Sequence, residues 1–190
     1  MRDAMSPMVR QLLGMTWIAV ASGCFADQNA ADLPLLIGGL TKADNAIHAA
    51  ELEARIWDRW LEGPTETASA ALATARARMS AGELSAAGIA LDALVDSHPD
   101  FAEAWNQRAI WHFFRGEYRA SLADIERTLD LEPRHFGALA GRGQCLLAMS
   151  DARGALSAFE DALAVNPWLS DVERQAESLR VMLASPPAGI

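Results

Sequence analysis

Trp105–Pro133, WNQRAIWHFFRGEYRASLADIERTLDLEP, reads as two helices and the turn between them. Apolar residues recur every three or four positions on both sides of Gly116-Glu117, the spacing of one helix face. Glycine suits the tight turn after the first helix, where a positive φ is cheap only without a Cβ. Pro133 stops the second helix. The same unit recurs. His98-Pro99, Glu132-Pro133 and Asn166-Pro167 are spaced by 34 and 34 residues. Aligned on these prolines, Ala75, Ala109 and Gly143 are all small, as are Ala87, Ser121 and Ala155. Leu91, Ile125 and Phe159 are all large and apolar, and Leu94, Thr128 and Ala162 share a position. Gly82, Gly116 and Ser150 fall at the turn, and Trp105 is matched by Leu139 and Ala71. The small positions let the two helices of a unit touch. The large ones at 125 and 159 fill the gap to the next unit.

A 34-residue helix–turn–helix period is that of the tetratricopeptide repeat, and residues 68–167 resemble three such repeats. The unit Trp105 through Pro133 with Gly116-Glu117-Tyr118 is the nearest in pattern. The first departs from it, lacking the aromatic signatures and carrying Leu94 where the family prefers alanine. Trp105-Asn106-Gln107-Arg108-Ala109 and Leu131 through Leu139 also resemble a group of small exported bacterial tetratricopeptide proteins with no assigned activity. The resemblance implies an all-α, right-handed superhelix of antiparallel helix pairs, with repeats at 68–101, 102–135 and 136–169.

The flanks read as caps, which a solenoid needs because its end units expose a face that inner units bury. Residues 27–64 read as a degenerate repeat capping the N-terminal end, with apolar positions Leu33, Leu36, Ile37 and Leu40, then Ile47, Ala50, Ala54, Trp57 and Leu61. Residues 170–183 read as one capping helix with Val172, Ala176, Leu179 and Leu183 on a face. Residues 184–190 read as a loose tail.

Residues 1–26 read as a secretory signal: Arg2 and Arg10, an apolar core from Leu12 to Val20, then small residues before Asp27. Two processing routes fit. Cleavage after Ala26 gives a soluble periplasmic product. Ala21-Ser22-Gly23-Cys24 resembles a bacterial lipobox, which would tether the protein to a membrane through Cys24. The large aliphatic residue usual three before the cleavage point is Ala21 here, which favours the soluble product. No stretch reaches the roughly 18 apolar residues of a membrane-spanning helix.

The formal charge of −9 sets the chain against phosphate backbones, so nucleic acid is not an expected partner. His48, His98, His112 and His135 do not pair at ligand spacing, and neither Cys-x-x-Cys nor His-Glu-x-x-His occurs. No metal, haem or other cofactor is expected. Gly137-Ala138-Leu139-Ala140-Gly141-Arg142-Gly143 is glycine-rich, but it falls inside a helix and reads as close helix contacts, not a phosphate cradle. No serine sits in an activating context, so no enzyme chemistry is expected. Cys145 reads as a small buried hydrophobe. Arg134-His135-Phe136 reads as a helix start, with contact to a partner as the sharper alternative.

Arg108 and Asp124 occupy facing positions in one repeat and read as a structural ion pair. Arg142, in the place of Arg108, faces Ala158 and must take its charge elsewhere, to Asp124, to Glu160 or into the groove. The family binds peptides on its concave face, chiefly through the first helix of each pair. By register those positions here are Arg76 and Met79, then Asn106, Ile110 and Phe113, then Gln144 and Leu147. The resemblance implies that Asn106 bonds an extended peptide backbone over an apolar floor of Met79, Ile110 and Phe113. The expected function is that of a non-enzymatic exported adaptor or assembly factor with a protein or peptide partner. The alternative is an oligomerising module of a periplasmic or membrane-associated assembly.

Overall fold

A computed structural model describes residues 32–184. The signal read at 1–26, with Cys24, and the tail from 185 lie outside the described residues. Among the described residues there are nine helices and no strand: α1 (Leu33–Leu40), α2 (Ala46–Leu61), α3 (Glu66–Ser80), α4 (Leu84–Ser97), α5 (Ala102–Phe114), α6 (Tyr118–Leu131), α7 (Phe136–Ala148), α8 (Ala152–Val165) and α9 (Ser170–Ala184). The architecture is the all-α repeat stack that the 34-residue phase implies. The pairs α3–α4, α5–α6 and α7–α8 are the three units, and α9 lies against α8.

Two kinds of turn recur at the same interval. Within each unit the first helix ends in a left-handed residue: Gly82 (φ +76°), Gly116 (φ +74°) and Ser150 (φ 65°). The next N–H reaches back five residues, Glu83 to Arg78 O, Glu117 to His112 O and Asp151 to Leu146 O, at 2.9–3.0 Å, closing a Schellman motif each time. Between units the chain turns through Phe101 N–H to His98 O, His135 N–H to Glu132 O and Leu169 N–H to Asn166 O. Positions 101, 135 and 169 are therefore equivalent.

The aligned side chains pack as their sizes require. Ala75, Ala87, Ala109, Ser121 and Ala155 are buried where the two helices of a unit meet. Gly143 is small because a Cβ there would stand 2.3 Å from Phe159 Cε1. Ile125 packs on Ala138 and Cys145 of α7, and Phe159 on Val172, Ala176 and Leu179 of α9. Each such side chain contributes about 1.5–3 kcal/mol by leaving water.

The N-terminal pair departs from the reading of an end cap. Leu33, Leu36, Ile37 and Leu40 of α1 pack on Leu52, Ile56 and Trp60 of α2 and on Phe136, Val165 and Leu169. The pair is thus a strap along the inter-unit turns. Gly63 lies against Phe101, Trp60 stacks on His135 with ring centroids 3.9 Å apart, and Leu169 joins the α1–α2 core. Trp168 Nε1 donates to Leu40 O at 2.9 Å, and Asn166 Nδ2 to Glu53 at 3.2 Å. Four large apolar residues of α1, with Trp57 and Trp60 of α2, pack along that edge. The buried face of α2 is accordingly Ala49, Ile56 and Trp60, rotated from the expected stripe; Ile47, Ala50 and Ala54 are exposed.

Candidate functional site

Beside the strap, whose Trp57 lies against Gly137, α5 and α7 diverge enough to leave a cavity of about 150 Å³. Asn106, Ile110 and Phe113 line it from α5, and Gly137, Gly141 and Gln144 from α7. Each triplet is spaced i, i+4, i+7 and so shares one helix face. A missing side chain helps make the space: Gly141 leaves Ile125 Cδ1 as the nearest atom to where its Cβ would stand, at 3.5 Å, whereas Gly137 admits Trp57 of the strap. Gly141 opens a cavity instead of closing a helix contact. Cys145 and Ser121 form the floor. Cys145 is the free cysteine among the described residues. Burial pushes its thiol pKa up, and its hydrogen bond to Ser121 Oγ (3.2 Å) opposes this.

Four of the seven residues assigned to the concave face thus share one cavity. Leu147 lies apart, facing Gln175 and Leu179 of α9. Arg76 is exposed and Met79 half-buried on α3, and neither lines the cavity.

Asn106 is almost fully buried, and a network behind it fixes its side chain. Glu103, 1% exposed, accepts hydrogen bonds from Asn106 Nδ2 (2.9 Å), Gln107 Nε2 (2.6 Å) and His135 Nε2 (2.9 Å). His135 Nδ1 accepts from Ala138 N–H at 3.1 Å and so caps α7. That acceptor role leaves its proton on Nε2, facing Glu103. Three donors satisfy the buried carboxylate, as burial demands. The reading of Arg134-His135-Phe136 as a helix start describes this cap. It did not find Glu103, although Asn106 and Gln107 lie three and four residues after it on the same face.

Arg108 donates to both oxygens of Asp124 at 2.8 Å and to Asp92 at 3.1 Å, tying α5 to α6 and α4. The Asp124 hydrogen bond, against the cost of burial, holds the Arg108 guanidinium pKa above its ordinary value. Arg142 does find a partner in its own unit, Asp161, three residues beyond Ala158. One more turn of α8 brings the carboxylate within reach of a long guanidinium side chain, and this replaces the options Asp124, Glu160 and the groove.

A larger cleft of about 280 Å³ lies between the strap and the turns, with Trp60, Phe101 and Leu131 on its walls beside Arg59, Glu103 and Glu132. Among the described residues no group of three or more His, Cys, Asp and Glu is placed to hold a metal ion. No described helix is long and apolar enough to cross a membrane.

No protein-family model matches the chain. In sequence it is similar to a TPR repeat-containing protein of Rhizobium etli, 40% identical over 94 residues that cover 50% of this chain and 46% of the relative. The chain spans less than half the length of that relative. In fold it is similar to the first TPR of Spaghetti (RPAP3) bound to the HSP90 peptide SRMEEVD, with TM-score 0.59 and 18% identity over 62% of this chain and 94% of that one. It is also similar to the type III secretion chaperone SycD of Yersinia enterocolitica in complex with a peptide of the translocator YopD, with TM-score 0.59 and 13% identity over 63% and 96% of the two chains. With a 34-residue phase in the sequence and in the turns, and these likenesses in structure, the chain has the all-α tetratricopeptide-like repeat fold.

Proposed function

We propose that this chain is a non-enzymatic adaptor that holds an extended peptide or a helix of a partner protein between α5 and α7, and that it works in the periplasm after export. The observation that carries the binding role is the cavity itself: an unfilled apolar depression on the first-helix face, with one fixed amide at its rim. Pockets of this make-up, mostly apolar with few polar groups, are the usual form of a recognition site. The structural neighbours named above hold peptides of other proteins, which supports a peptide as the occupant here. Replacing Asn106 and Phe113 by alanine should weaken capture of the partner in a pull-down from the native compartment, with helical circular dichroism unchanged. Undiminished capture would place the interaction elsewhere.

Export rests on residues 1–26. Mass spectrometry of the mature protein should give an N-terminus at Asp27; a diacylglyceryl group on Cys24 would replace the soluble product with a lipid-anchored one. The alternative of an oligomerising module draws on Leu35 and Ile47, which stand 78% and 75% exposed on the strap. A concentration-independent monomer in light scattering would remove it.

A further inference from the structure

Accepting the α5–α7 groove as a peptide site, we infer that it is built to receive hydrogen-bond donors, and that it selects a segment with one large apolar side chain flanked by basic rather than acidic residues. The orientation of Asn106 is the starting point. Its amide nitrogen faces Glu103, a carboxylate that already takes two other donors. An ionised carboxylate only accepts, so the nitrogen of Asn106 must point inward and its oxygen toward the cavity. Among the described residues nothing donates to that oxygen, nor is it sealed from solvent. Gln144, across the cavity, donates one of its two amide N–H groups to Gln175 at 2.8 Å. At Asn106 the rim therefore presents an acceptor, which a peptide N–H or a cationic side chain satisfies and a carboxylate does not.

Charge points the same way. No lysine or arginine lines the cavity. The buried Glu103 stands directly behind Asn106, and the whole chain carries −9. A negative, low-dielectric cleft attracts cations and rejects anions, chiefly through encounter rate and selectivity. Size sets the remaining requirement. A cavity of about 150 Å³ with apolar walls is of the order that admits a benzene-sized group, which a leucine or phenylalanine side chain supplies.

The test uses the full chain and an array of acetylated, amidated nonapeptides with a central leucine or phenylalanine and randomised flanks. Capture is compared for the wild type and Ile110→Ser, at low and at physiological salt. The expected result is at least threefold enrichment of lysine and arginine in the flanks, matching depletion of aspartate and glutamate, and loss of capture in Ile110→Ser. For the best binder, one backbone N-methyl group should weaken binding about tenfold in the wild type and leave Asn106→Ala unaffected. Acidic flanks captured as well as basic ones, with the Ile110→Ser loss intact, would overturn the selectivity and leave the groove standing. No capture, or capture indifferent to Ile110→Ser, would remove the groove and this inference with it.

Discussion

Ser150 does a glycine's work. It occupies the left-handed turn position that Gly82 and Gly116 hold in the two preceding units, with φ 65°. An L-residue there costs about 1 kcal/mol through its Cβ. Ser150→Gly should raise stability by about that amount, seen as a melting-temperature increase of roughly 2–4 °C for a chain of this size. Glu117, next to the equivalent turn, accepts hydrogen bonds from Arg115 (2.8 Å) and His112 (2.7 Å). These, Arg115 foremost, bring its pKa from an ordinary 4.5 down to about 2. A lowered folded-state pKa stabilises above the ordinary value and loses that contribution as pH falls through the folded one. The difference in melting temperature between wild type and Glu117→Gln should therefore shrink from pH 5 to pH 2. At this scale the sequence was informative where chemistry is local: a left-handed turn, a small position, a proline stop. Glu103 was not found, because its need for three donors exists only once α7 brings His135 to it, 32 residues away in the chain.

Between elements, the Arg108–Asp124 pair carries the connection within the second unit. Asp124 is 6% exposed at its side chain and Arg108 18%. Arg108→Ala should cost about 3 kcal/mol in urea denaturation, mostly because the carboxylate is left without its main partner. Replacing both residues with leucine should recover much of that loss, since apolar substitutes for a buried pair are often near neutral. The facing positions of this pair followed from the register, because a helix pair joined by a short turn has few ways to align. The face of α2 did not. Its sequence holds two apolar stripes a fraction of a turn apart, and the choice between them depends on Phe136 and Leu169, which the strap meets only in the folded chain.

Taken whole, the molecule keeps its repeat phase in every turn, and that phase was legible because each unit meets chiefly the next. The strap was legible only as two helices. Its docking rests on contacts such as Leu40 with Trp168 and Glu53 with Asn166, separated by 128 and 113 residues, and no periodicity encodes those. An open repeat array gains stability from each unit and each neighbouring interface, so it can fray from its ends. A strap bonded to the last inter-unit turn joins both ends of this array in one melting event. Amide exchange in α2 and α8 should then proceed through a shared opening with nearly equal free energies. Trp60→Ala, which strips the stack from His135, should split that single transition in two and let α8 and α9 exchange first.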